Sequence, residues 1–132
     1  MTKTAFMDKY PVFSYELAKS ETNYTSVDEI IEYFKTLVQQ HPIATEITTF
    51  DHYAHTKSLN DGEIAPEIKD AKNFIFCFGK QLPNTKMLAV RPRSIGVSEL
   101  EESFSIDFLQ VPNDQLQELV VQWVLGLSKG DS

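Results

Sequence analysis

The sequence predicts an α+β domain, a two-layer sandwich in which two amphipathic helices cover one face of a mostly antiparallel sheet of about five strands. Three observations carry that prediction. Residues 26 to 41 and 113 to 127 each bear an apolar stripe at helical spacing. Between and before them, short stretches alternate apolar and polar residues at the period of a half-buried strand. No repeat, linker or low-complexity run divides the 132 residues, which are expected to form one domain with residues 1 to 10 as a loosely ordered N-terminal segment.

Phe13, Tyr15 and Leu17 alternate with Ser14, Glu16 and Ala18, so the first strand follows Pro11. Ser26 and Glu29 have capping-box spacing, and Val27, Ile30, Ile31, Phe34, Leu37 and Val38 build the first helical stripe. His41-Pro42 closes that helix, since proline disfavours helical geometry in the residue before it. The β-branched run from Thr45 to Phe50 predicts a second strand. Residues 51 to 59 fit either helix or strand, and Asn60-Asp61-Gly62 signals a turn. Ile64, Ile68 and Ala71 then fall at helical spacing, which predicts a short helix or helical loop over 63 to 72 with Pro66 in its first turn. The continuous apolar run Phe74 to Phe78 suits a central strand covered on both faces. After a turn at Pro83-Asn84, Met87 to Val97 reads as the next strand, interrupted by Pro92 at an edge or bulge. Phe104, Ile106 and Phe108 mark the last strand, and Asn113 caps the final helix, whose stripe runs from Leu116 to Leu127 with Gly126 and Gly130 as candidate stops. The resulting order is β-α-β-β-β-β-α.

Composition narrows the function classes. Apolar residues at 42% and charged residues at 23% are those of an ordinary folded protein, not a disordered one. A formal charge of -7 repels phosphate backbones and anionic lipid, so neither nucleic acid nor membrane is expected as a partner. One cysteine cannot form an internal disulfide, and no apolar run has the length of a signal peptide core or a membrane span; a soluble, cytoplasmic protein is expected.

The sharpest chemical feature is the pair Arg91 and Arg93, the only two arginines in the chain. On a strand, residues i and i+2 share a face, so two guanidinium forks could converge on a carboxylate or phosphate, with Ser94, Lys80 or Lys86, and His52 as further candidate contacts. The plainer reading pairs them with Glu99, Glu101, Glu102 or a partner subunit. Asp51, His52 and His55 form a weak metal candidate, because two histidines share a face only if the segment is helical and no third ligand stands at fixed spacing; no metal or other cofactor is expected. Cys77 sits among apolar neighbours, which favours inert packing over a nucleophile. P-loop, dinucleotide-binding, Gly-x-Ser-x-Gly and paired-cysteine motifs are absent from the sequence.

Phe50-Asp51-His52, followed by Ile75-Phe76-Cys77-Phe78-Gly79-Lys80 and a Leu-Pro step at 82 and 83, resembles a small bacterial family, the domain of unknown function 302. The resemblance covers residues 25 to 112 by order of segments. It departs at Gly79-Lys80, where that family has Asn-Pro after the glycine, and at Arg91 to Val97. A narrower set of uncharacterised proteobacterial proteins is similar in the strings Phe50 to Lys57 and Arg91 to Val97. The resemblance implies a β-α-β4-α arrangement like the TATA-binding-protein-like folds and a dimeric habit, and it transfers no catalytic residue. The expectation is a non-enzymatic domain, a homodimer or the companion of a protein partner, that takes a small anionic ligand or that partner through the Arg91/Arg93 surface. The alternative is an enzyme or metal protein using His52, His55 and Cys77.

Overall fold

The alternating stretches become one antiparallel sheet of six strands, seen in a computed structural model that describes residues 1–129. In chain order the elements are β1 (Thr2–Phe6), β2 (Tyr10–Ala18), α1 (Val27–Gln40), β3 (Ala44–Phe50), α2 (His52–Ser58), β4 (Asp70–Phe78), α3 (Met87–Val90), β5 (Arg93–Glu99), β6 (Ser103–Leu109) and α4 (Asp114–Leu125). Across the sheet they lie β1-β2-β6-β5-β4-β3. A hairpin starts the sheet, α1 carries the chain over to its far edge, and β3 to β6 return as a meander that closes on β2.

Two expectations of number change. The sheet has six strands rather than five, because the segment expected to be loose pairs with β2 from Thr2↔Ser14 to Phe6↔Tyr10. The three-residue connection Met7 to Lys9 turns the chain, with Lys9 N–H donating to Phe6 O at 3.1 Å and Met7 and Asp8 both at positive φ (54° and 59°). Beyond the two long helices there are two short ones. Within 51 to 59, His52–Ser58 is helical, and Asp51 caps it by accepting from Ala54 N–H at 2.9 Å. Of the short helix or helical loop expected over 63 to 72, no helix forms; the segment is a connection with one turn, closed by Ile68 N–H donating to Ala65 O at 3.0 Å, that passes into β4 at Asp70.

The core lies between one sheet face and the two long helices. Strand periodicity sends Leu17, Phe74, Phe76, Phe78, Ile95, Val97, Phe104, Ile106 and Phe108 inward. They meet the stripe of α1, with Val27, Ile30, Ile31, Phe34 and Val38 all buried, and that of α4, with Val120, Trp123 and Val124 buried. β4 is therefore covered on its inner face, while Asn73, Ile75 and Cys77 on the outer face are only half-buried. Tyr33 ties the helices together by donating to Trp123 O at 2.6 Å, and burial pushes its phenol up to about 12. A Cβ at Gly126, where α4 ends, would stand 2.5 Å from that hydroxyl, so a larger residue there would have to displace it. Gly130 lies outside the described residues.

The helix starts follow the sequence closely. Ser26 accepts from Glu29 N–H at 3.1 Å, and the Glu29 carboxylate accepts from Thr25 N–H at 2.6 Å, one residue earlier than a standard capping box. Those Thr25 bonds hold the Glu29 carboxyl below the usual glutamate range. Asn113 caps α4 by accepting from Leu116 N–H at 3.1 Å.

Phe74 is fully buried, 6.1 Å from the Phe34 ring and 5.4 Å from that of Phe76. Replacing Phe74 with alanine is expected to cost about 3–5 kcal/mol of unfolding free energy, because the rings around it cannot collapse into the gap. Urea denaturation checks this; a loss below about 1 kcal/mol would mean that β4 and α1 do not share one core.

Candidate functional site

The inward face of β4 ends at Phe78, and there the chain leaves the sheet. Gly79 turns it at φ +127°, a conformation that disfavours side chains. Its N–H donates to Ile43 O at 3.1 Å. The segment runs through a turn at Asn84, whose side chain accepts from Lys86 N–H at 3.0 Å, into the single turn of α3. The expected strand from Met87 to Val97 is thus a helical turn followed, after Pro92, by β5. Of the arginine pair only Arg93 lies on a strand. The sharing of a face by i and i+2 does not apply, yet both side chains line the same cleft.

That cleft measures about 470 Å³. One wall is the connecting segment, which contributes Lys86, Met87, Val90 and Arg91. The opposite wall is the start of α4 and the residues before it, with Val111, Pro112, Asn113 and Leu116. Phe78 and Arg93 close the bottom. Three of the lining side chains are cationic and none is acidic.

The two arginines are held differently. Arg93 is half-buried and donates to three main-chain oxygens: Nη1 to Val90 O at 3.2 Å, and Nη2 to Leu109 O at 2.8 Å and Gln110 O at 3.0 Å. Burial pushes its guanidinium below the usual arginine value. Arg91 donates once, from Nη1 to Gln81 O at 2.9 Å. Its guanidinium rests on Gly79, where a Cβ would stand 2.5 Å from Nη2. Among the described residues no carboxylate lies within ion-pair distance of Arg91, Arg93 or Lys86; the ion pairs present use Lys19, Lys35, Lys69 and Lys72. The expected pairing with Glu99, Glu101 or Glu102 does not occur. Glu99 pairs with Lys19 at 2.8 Å and Glu101 with Lys69 at 3.8 Å.

The other candidate residues are dispersed. Ser94 faces the outer side of the sheet, where it accepts from Asn73 Nδ2 at 2.9 Å beside Asp107. Asp107 in turn takes the Ser14 and Ser105 hydroxyls at 2.5 and 2.7 Å. Lys80 is exposed and borders a shallower hollow with Cys77, Ile47, Leu82 and Leu88, which Arg91 also lines. His52 lies at the far end of the sheet, its ring 5.3 Å from Phe50 and its Nδ1 3.3 Å from Thr56 Oγ1. His55 packs on the same Phe50 ring at 5.4 Å. Asp51 is spent on the α2 cap and on Lys72 at 3.7 Å. Among the described residues no three of His, Cys, Asp and Glu come together as a metal ligand set. Cys77 and His52 line separate hollows.

Sequence reasoning missed the opposite wall, Val111 to Leu116. Its signal was present, in the Pro112-Asn113 helix start and in Leu116 as the first residue of the α4 stripe, but nothing local joins those residues to Arg91.

These features define a small α+β domain with a cation-lined cleft at one end of its sheet. The chain belongs to a family of unknown function, DUF6858, whose match spans residues 1–129. No curated protein and no solved structure matched it. Among the described residues no helix is long and apolar enough to cross a membrane.

The contact between Gly79 and Arg91 is testable by a double-mutant cycle. Gly79→Ala is expected to destabilise the protein by about 1–3 kcal/mol through backbone strain plus the displaced guanidinium. In an Arg91→Ala background the cost should fall, since only the strain remains. Equal costs in both backgrounds would show that Gly79 does not serve Arg91.

Proposed function

We propose that this domain is a non-enzymatic, cytoplasmic binder of a small organic anion, and that the anion sits in the cleft between α3, the start of β5 and the start of α4. One observation carries the reading. A chain of net charge -7 gathers Lys86, Arg91 and Arg93 around one concavity, and among the described residues no acid lines it and none forms an ion pair with any of the three. Carboxylates elsewhere on the surface repel a free anion, so a local cluster of unpaired cations is where one would be held. Guanidinium groups suit oxyanions because their donors form a planar fork. His52 and His55 stand apart from this cleft, and Cys77 lines a neighbouring hollow that shares Arg91 with it but holds no histidine, which favours binding over the enzymatic alternative. The likeness to the domain of unknown function 302 and to TATA-binding-protein-like folds belongs to this reading as well; it rests on the order of segments and carries no ligand.

Thermal-shift screening of carboxylates and phosphates at fixed ionic strength tests the proposal. A true ligand at a hundredfold excess over its Kd adds about 2.7 kcal/mol, on the order of 10 °C for a domain of this size. The shift should shrink sharply in Arg91→Gln. An equal shift in wild type and Arg91→Gln for every anion would remove the reading.

A second reading is a contact with another copy of the chain, favoured by a different observation. Ile47, Leu82 and Leu88 are 51%, 63% and 62% exposed around Lys80, and Ile47 belongs to β3, an edge strand with unpaired backbone groups. An isologous pairing of two β3 edges would cover them. Light scattering should then report twice 15.1 kDa, and Ile47→Lys should return the monomer mass. A monomeric wild type at about 100 μM, far above the Kd of a stable dimer, would exclude it.

A further inference from the structure

The cleft's cations all sit on one wall and at its bottom, while much of the remaining lining is hydrocarbon. Met87 and Val90 stand on the cationic wall, Val111, Pro112 and Leu116 face them, and the Phe78 ring lies below. Phe78 and Val111 are only 4% and 5% exposed, so the deep part of the cleft is continuous with the core. A fully hydrophilic anion such as phosphate would satisfy the cations and leave this apolar surface against water. An apolar lining holds water poorly, whereas it holds hydrocarbon well. The volume of about 470 Å³ also lies within the usual range for sites that enclose an organic molecule rather than a bare ion.

The hydrogen bonds divide the two arginines. A guanidinium has five N–H donors. Arg93 directs its donors to three main-chain oxygens, which fixes it at the junction of α3, β5 and the end of β6. Arg91 makes one such bond, to Gln81 O, and so keeps most of its donors for another acceptor. Lys86 comes from the same wall.

We infer, resting on the anion-binding reading above, that the ligand is an amphipathic monoanion: a single carboxylate-like head held by Arg91 and Lys86, and an unbranched or aromatic apolar body lying between Val90 and Leu116 over Phe78. Arg93 is a positioning residue in this arrangement. It holds the bottom of the cleft together and adds its charge to the field there without contacting the head.

A chain-length series tests the inference on the intact protein. Acetate, butanoate, hexanoate and octanoate are titrated by calorimetry, with octanamide as the uncharged control and citrate and inorganic phosphate as hydrophilic anions. Octyl phosphate and octyl sulfate, below their micellar concentrations, compare head groups. Affinity should rise roughly three- to fourfold per methylene up to octanoate, and octanamide should bind at least tenfold more weakly than octanoate. Arg91→Gln should lose about tenfold or more for octanoate while the gain per methylene across the series is kept. Leu116→Gln should flatten the dependence on chain length while keeping the preference for octanoate over octanamide. Citrate or phosphate binding with Arg91 dependence, but no gain from acetate to octanoate, would overturn the inference and leave the anion-binding reading standing. No Arg91-dependent binding of any anion would overturn both.

Discussion

The inner face of β4 fixes the geometry of everything around it. Phe74, Phe76 and Phe78 stand in a column, with ring centroids 5.4 and 5.3 Å apart, because alternate residues on a strand repeat every two positions on one side. Phe34 of α1 stacks on the first at 6.1 Å, and Trp123 of α4 packs on the last at 5.6 Å. His41, just past the end of α1, sets its ring edge-on to both Phe78 and Trp123 while its Nδ1 accepts from Ile43 N–H at 3.3 Å. Each such ring pair adds about 0.5–1.5 kcal/mol beyond the area it buries. The column therefore sets the separation of the two helices and the height at which α4 begins. Phe78 belongs to the core and to the cleft at once, so the shape of the cleft is a consequence of core packing.

Charge is segregated on this protein, and the segregation matters more than any single pair. The ion pairs link α1, β3, β4, β5 and the neighbouring loops: Lys19 with Glu99, Lys35 with Glu32 and Glu46, Lys69 with Glu101, and Lys72 with Asp28 and Asp51. Several of these groups are well exposed, and exposed pairs contribute only about 0–1 kcal/mol each. They occupy six carboxylates with four lysines, and among the described residues none of the pairs involves a cation of the cleft. Arg93 shows the other half of the balance. Burial disfavours its charge, and three carbonyl dipoles offset that without neutralising it. Because a guanidinium starts far above neutral pH, a downward push of this kind leaves it protonated. The positive field at the cleft is thus permanent.

Most of the architecture was legible because the residues that build it follow simple periods. Phe13, Tyr15 and Leu17 face inward as their alternation requires, and the α1 and α4 stripes bury the residues that define them. What escaped reading has physical causes. β1 buries nothing, so Thr2–Phe6 shows no apolar alternation, and its turn places Met7 and Asp8 where glycine or asparagine would have announced a hairpin. Ile64, Ile68 and Ala71 have helical spacing by coincidence; they line one hollow with Tyr53 and Thr56 of α2, a juxtaposition no local window contains. α3 has four residues, too few for a helical period to appear, and Pro92 breaks what looked like one strand into a turn and a shorter strand. The arginine pair stood out by composition alone. Its cleft did not, because Val111 to Leu116 reach it only through the pairing of β5 with β6.

The connection between β4 and β5 is held in an unusual way, and this bears on what the cleft can do. Gly79 N–H is bonded to Ile43 O at the start of the segment, Arg93 reaches back to Val90 O at its end, and Arg91 reaches back to Gln81 O across its middle. Leu82 and Leu88 between these points are exposed rather than packed. Apolar burial contributes little here, so the guanidinium groups are both the fasteners of the segment and the charges of the cleft. An anion that drew Arg91 toward itself would lift the side chain from Gly79 and stretch its single bond to Gln81 O. Binding and the local order of residues 79 to 92 are then one equilibrium, and the affinity measured for any ligand is what remains after that rearrangement.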